Sequence, residues 1–213
     1  PQIVRNCYRL LLRIVEEQGV PLGLEFSAYT MEIVNRLDPA FVKRLKELWH
    51  DGQCEFIGSG LMQSIMPLIP AEVNRKNLKL GNEVYERLLG RTPKTAYVNE
   101  LVYSASLPGL YKEAGYETLI VNWESALPAH KDPELLYRPC SVALNNGTSG
   151  AGVRDDDTMP IIWHSHLIYR NFQQYVEREI PWDEYLACLL DHMPQSGERC
   201  LPIYSSDWEV FDF

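Results

Sequence analysis

Two carboxylate-bearing segments carry the chemistry this sequence can offer. One is Thr95-Ala96-Tyr97-Val98-Asn99-Glu100, the other Leu201-Pro202-Ile203-Tyr204-Ser205-Ser206-Asp207-Trp208-Glu209. Each reads as an apolar or aromatic strand that runs into an acid. Two acids held at the same rim of one sheet are what glycosidic bond cleavage needs. Each acid also has an ordinary reading. Glu100 could be an exposed residue at a helix start, where the helix dipole favours it. Asp207 could cap a turn.

Further candidates surround the pair. Trp123 and Trp208 have the ring area to stack on sugars, with core packing as the competing role. Glu55 lies inside a strand and needs a partner if it turns inward. In His164-Ser165-His166, a strand would point both imidazoles to one side. Spacing fixes no third ligand and a His-Glu-x-x-His helix is absent, so hydrogen bonding is the expected role and no metal is expected. Gly147 to Gly152 lacks the Lys-Ser/Thr ending of a phosphate loop and reads as flexible loop. Asn146-Gly147-Thr148 matches a glycosylation acceptor, which matters only in a secreted protein.

The elements that must position these residues alternate in type. Ile3 to Gln18 carries a helical stripe closed by Gly19. Val20 to Phe26 is a strand. Asp38-Pro39 opens a helix with Phe41, Val42, Leu45, Leu48 and Trp49 on one face. Cys54 to Gly58 is a strand, Ala71 to Leu89 a long helix ended by Gly90, and Thr95 to Asn99 a strand. Ser104 to Ala114 is a helix and Thr118 to Trp123 a strand. Residues 128–158 show no sustained period and read as a long excursion. Ile161 to His164 is a strand, Trp182 to His192 a helix and Leu201 to Ser205 the last strand. Strands alternating with helices predict parallel strands joined by crossovers, an α/β fold. In such folds chemistry lies at the carboxyl ends of the strands. Those ends carry Ser27, then Ser59 and Gln63, Asn99 and Glu100, Trp123 and Glu124, His164 and His166, and last Asp207 and Glu209.

Composition narrows the function. The chain has 213 residues, 46% apolar and 23% charged, as an ordinary globular protein does. A net charge of −9 argues against a nucleic-acid partner and suits a neutral substrate such as a sugar. No apolar run approaches the ~18 residues of a membrane span, so no membrane partner is expected. The five cysteines form no Cys-x-x-Cys pair. Cys54, Cys188 and Cys200 sit among apolar neighbours and are expected as buried thiols, in a reducing, cytoplasmic setting.

In order along the chain, several blocks resemble glycoside hydrolase family 57. Gly52-Gln53-Cys54-Glu55 is similar to the family's Gly-x-x-Glu segment. Pro67-Leu68-Ile69-Pro70, followed by the helix to Leu89-Gly90, is similar to its continuation. Val98-Asn99-Glu100-Leu101-Val102-Tyr103-Ser104 resembles the nucleophile segment, and Tyr204-Ser205-Ser206-Asp207-Trp208-Glu209-Val210-Phe211 the acid/base segment. The resemblance implies an incomplete (β/α)7 barrel and a retaining mechanism on α-linked sugars. It gives Glu100 the nucleophile's role and Asp207 that of general acid/base. Asp207 must then start protonated, which calls for burial near the charge on Glu100. Glu55, His164, His166 and Glu209 would orient sugar hydroxyls or tune the carboxylates, with Gln63, Trp123 and Trp208 as further substrate contacts. Gln63 stands near the place of a family His, and Tyr97-Val98-Asn99 replaces the usual Trp and Pro.

The implied partner is an oligosaccharide or polysaccharide, and no cofactor is called for. Residues 1–213 are expected to be one catalytic domain, a fragment lacking the family's first strand, with its His-x-Pro motif, and its later helical region. Oligomeric state is left open. Two rival readings remain. A metal-dependent polysaccharide deacetylase would need an Asp and two His on one ion. It has an Asp-Asp pair only at Asp155-Asp156 and no His-x-x-x-His. A catalytically silent carbohydrate-binding protein needs neither acid.

Overall fold

A computed structural model describes residues 2–126, 132–138, 140–144, 157–193, 200 and 202–208. Within it, a period of two in the strands decides which side chains face helices. In β1 (Leu22–Phe26), Leu24 and Phe26 are buried against helices, and Gly23 and Glu25 take the other face. In β2 (Cys54–Gly58), Cys54 and Phe56 point the same way as Leu24 and Phe26. β3 (Thr95–Tyr97) sends Ala96 outward to the helices. β4 (Thr118–Asn122) sends Leu119 and Val121.

The sheet has six strands in the order β1-β2-β3-β4-β6-β5. All neighbours are parallel except β5 (Cys140–Ala143), which runs antiparallel to β6 (Thr158–His164). The register pairs Glu25 with Ile57, Tyr97 with Ile120, Ile120 with Ile162 and Asn122 with His164. These residues share the inner face, away from the helices. The architecture is the expected, largely parallel α/β sheet of an incomplete (β/α) barrel, with β1 and β5 as its free edges.

Helices close where local chemistry tells them to. A π-helical turn (Val4–Tyr8) leads into α1 (Arg9–Gln18), which stops at Gly19 in the left-handed region. The Ser27 hydroxyl accepts from Thr30 N–H and caps α2 (Ala28–Leu37). Asp38 caps α3 (Pro39–His50) at Phe41 N–H and holds Arg9 through two 2.7 Å bonds. α4 (Ala71–Leu89) ends at Gly90, φ 80°. It crosses so close to the turn after β2 that a Cβ on Gly81 would lie 2.5 Å from the Gly60 carbonyl carbon. α5 (Leu107–Glu113) precedes β4, and α6 (Trp123–Ala126) is one turn after it. α7 (His166–Val176) and α8 (Trp182–His192) join through aromatic packing, with Tyr175 and Tyr185 stacked at 5.3 Å. No described helix is long and apolar enough to cross a membrane.

Several expectations are corrected. The strand expected at Leu201–Ser205 reduces, in its described part, to one parallel bridge between Ile203 and His164. The described part of the unpatterned stretch holds a 3-10 turn (Pro133–Tyr137) and β5, an edge strand whose alternation is too short to read. No disulfide joins any of the five cysteines, all of which are described, but only Cys54 of the three expected inside is buried. Cys188 is half-buried and Cys200 exposed, because apolar neighbours in sequence do not fix which face a residue takes.

Candidate active site

The carboxyl ends of β1, β2, β3, β4 and β6 form one rim, and a strap of residues 202–208 crosses it. Ile203 pairs with His164 at the end of β6. Ser205 N–H then donates to His164 Nε2 at 3.1 Å, and Ser205 Oγ lies 3.3 Å from the Tyr97 hydroxyl of β3. Beyond Asp207, Trp208 packs on Phe26 of β1 at 4.6 Å and on Tyr8 at 4.9 Å. The strap thus spans the gap between β6 and β1 and carries Asp207 over the sheet's inner face.

Glu100 follows β3 in a tight turn, Asn99–Leu101. Glu100 and Leu101 both have φ of 54°, the left-handed region that side chains avoid at a cost of roughly 1–2 kcal/mol each. Neighbours hold the turn in place. Buried Asn99 donates from Nδ2 to the Ser59 carbonyl at 3.0 Å, and Leu101 N–H donates to the Val98 carbonyl at 2.8 Å. Strain that surroundings sustain is a recurrent mark of working sites. The Glu100 side chain is exposed.

Tyr97 ties the acids together. Burial is the main force pushing its phenol up, the Ser205 hydroxyl opposes it, and the charges of Glu25, Asp207 and Glu100 add to it. The charges of three acids, on β1, in the turn after β3 and on the strap, therefore act on one ring.

Glu25 is the acid that sequence reading missed. In Leu-Gly-Leu-Glu-Phe it looks like the solvent side of a half-buried strand. The structure turns it inward, with Oε1 sealed although the residue as a whole keeps some exposure. Burial pushes its carboxyl up to about 7, the Ser59 hydroxyl pulls against that, and the charge on Asp207 adds to it. Asp207 itself is exposed, so the enclosure expected around it surrounds Glu25 instead.

The other named residues divide. His164 reaches the rim, is 2% exposed, and is pushed below the usual imidazole value, first by burial. Glu124 counters that push and His166 reinforces it. His166 does not share a strand face with His164, because β6 ends between them and Ser165 caps α7. His166 is exposed, and its backbone N–H donates to Glu124 Oε1 at 2.9 Å. Gln63 is exposed in the loop after β2.

Glu55 does not come to the rim. It is the second residue of β2, at the amino end, where Arg91 and Trp49 counter the upward push of burial. Trp123 is core, 5% exposed and edge-on to Trp163 at 5.2 Å. Trp208 is half-buried and serves as the strap's anchor. Glu209 lies outside the described residues, as do Asp155, Asp156 and the Gly147–Gly152 run. No group of three His, Cys, Asp or Glu among the described residues is placed to hold a metal, so the deacetylase reading draws no support from them.

A largely parallel α/β sheet with acids at its strand ends defines the class: a (β/α)-barrel-type domain. The chain belongs to glycosyl hydrolase family 57, whose family profile matches residues 1–145. It is 28% identical over 102 residues to alpha-amylase 1 of Dictyoglomus thermophilum, covering 48% of this chain and 15% of that protein. It is 26% identical over 133 residues to the 4-alpha-glucanotransferase of Thermococcus litoralis, covering 62% and 20%. The crystal structure of the latter superposes with a TM-score of 0.74 at 20% identity, over 97% of this chain and 30% of that one. An exo-type maltose-forming amylase from Pyrococcus sp. ST04 gives a TM-score of 0.67 at 12% identity, over 97% and 35%. The chain therefore spans only a minor part of the length of these relatives.

Proposed function

We propose that the chain forms the catalytic barrel of a retaining glycosidase or transglycosidase acting on α-linked glucan. Glu100 attacks the anomeric carbon and forms a glycosyl-enzyme. Asp207 gives a proton to the leaving oxygen, then takes one from water or an acceptor hydroxyl. The observation that carries this reading is the strap, whose Ser205 contacts Tyr97 and His164 and so brings Asp207 to the rim where Glu100 follows β3. The sustained left-handed turn at Glu100 supports its part. The amylase and glucanotransferase relatives support an α-glucan as substrate, oligosaccharide or polysaccharide. Five cysteines with no disulfide among them fit a reducing compartment such as the cytoplasm.

The test is covalent trapping. A fluorinated maltosyl donor should leave a glycosyl adduct on the peptide holding Glu100, read by mass spectrometry. Glu100→Gln should lose the adduct and at least about a thousandfold in turnover of maltopentaose, as removal of a nucleophile does. An adduct on another residue would overturn the assignment.

A further inference from the structure

One anchor of the strap lies two residues from the acid that the strap carries. Ser205 N–H donates to His164 Nε2 at 3.1 Å. Among the described residues this is the last backbone hydrogen bond from the strap to the sheet before Asp207. Nearer β6, Ser165 N–H donates to the Ile203 carbonyl at 2.9 Å, and the Tyr204 hydroxyl lies 2.7 Å from that of Tyr185. Past Asp207, Trp208 is seated by its ring on Tyr8 and Phe26. Asp207 therefore hangs between a hydrogen-bonded end at Ser205 and an aromatic end at Trp208.

The acceptor at Ser205 has a particular chemistry. A backbone N–H only donates, so His164 Nε2 must present a lone pair and the imidazole must be neutral, its proton on Nδ1. The surroundings favour that state. His164 is 2% exposed, and burial pushes its imidazole below the usual 6.5. His166 on α7 adds to the push, and the charge of Glu124 on α6 opposes it. Tyr97 on β3 and Tyr169 on α7 flank the ring, with centroids 6.4 and 6.3 Å away. The ring is bracketed on both sides and offers the strap one fixed acceptor.

We propose that His164 is a positioning residue, whose neutral imidazole, by accepting from Ser205 N–H, sets the strap against the end of β6 and so sets the place of Asp207 at the rim. The proposal rests on the assignment of Asp207 as general acid/base. In this role His164 touches no sugar and supplies no proton. Its loss falls on the steps in which Asp207 moves a proton, and spares steps that need none.

The test compares two reactions in two variants. His164→Phe keeps a ring between Tyr97 and Tyr169 and removes the acceptor. His164→Gln offers a side-chain carbonyl as an acceptor that does not titrate. Cleavage of maltopentaose needs a proton for its leaving oxygen. Transfer from α-maltosyl fluoride to azide needs none, since fluoride leaves the anomeric carbon as an anion and azide attacks the glycosyl-enzyme as one. In His164→Phe, kcat on maltopentaose should fall at least about tenfold with KM within about twofold, and the fluoride-to-azide rate should hold within about twofold. His164→Gln should regain most of the loss. Amide hydrogen exchange at Ser205, referred to the intrinsic rate at each pH, reads the strap without any sugar. Protection there should fall about tenfold in His164→Phe. The docked strap binds the neutral ring, so in the parent protection is full above 6.5 and declines as pH falls below it, whereas in His164→Gln it stays flat. Equal losses in both reactions, or unchanged Ser205 protection in His164→Phe, would overturn the proposal. If the parent turns over neither substrate, the reaction reading fails, and the Ser205 exchange alone decides whether His164 holds the strap.

Discussion

The Tyr85 hydroxyl is a small group with large structural consequences, and its removal can be costed. It sits wholly buried on α4, accepts from Ser59 N–H at 3.2 Å and donates to the Phe26 carbonyl at 2.7 Å, with the Gly60 carbonyl 3.1 Å away. It thus ties the carboxyl ends of β1 and β2 to the helix behind them. Tyr85→Phe keeps the ring and its edge contact with Phe56 at 5.2 Å, so no cavity opens. What is lost is a partner for one buried donor and one buried acceptor, each costing about 1–3 kcal/mol, or about 2–6 kcal/mol together. Urea unfolding measures this directly. With a slope of about 2 kcal/mol/M, the midpoint should fall by about 1–3 M at constant slope. Tyr29→Phe, at an exposed ring, should change stability by less than about 0.5 kcal/mol. A loss below about 1 kcal/mol for Tyr85→Phe would show that these backbone groups find other partners, and the costing would be wrong.

Two further outcomes follow from the same rim. Folding raises the Glu25 carboxyl from 4.5 to about 7, which corresponds to about 3 kcal/mol. The folded state therefore holds that proton more tightly than the unfolded state, and the contribution is present below 4.5 and lost as pH rises through 7. Stability of the parent should drop by that amount between pH 4.5 and 8 relative to Glu25→Gln, and an identical pH dependence in both would refute it. Gly81→Ala would ordinarily strengthen a helix by about 1 kcal/mol. Here the new Cβ meets the Gly60 backbone at 2.5 Å, so a melting temperature lower by about 5 °C is expected from about 2 kcal/mol of overpacking. A rise would mean that the helix and turn can part freely.

Legibility followed length and period. α4 was readable at both ends because its stripe runs five turns and stops at Gly90. Its neighbour α2 was not, since Met31 and Val34 face the core while Tyr29, Ile33 and Leu37 stay exposed and blur the stripe. α7 hides in the same way behind an aromatic sequence. At the site, Glu100 is marked by the end of β3, and Asp207 by the acid and aromatic that follow an expected strand, which folds as a strap with one bridge. Glu25 was not, because its enclosure comes from Ser59, Tyr97 and the strap, none of them near it in sequence. Glu55 misled for a related reason. It is an acid in a strand like Glu25, but near the amino end of β2, and only the register distinguishes the two.

The strap has a bearing on how the protein acquires its site. Its docking joins Trp208 to Phe26, residues from remote parts of the chain. Contacts of such sequence separation carry a high loop-closure cost and form after local ones have been made. The strands from β1 to β4 pair with their neighbours without the strap's residues. A chain at that stage already holds Glu100 but not Asp207. On the proposed assignment, the two acids meet only in a late step, when the Trp208 ring finds its seat beside Tyr8 and Phe26.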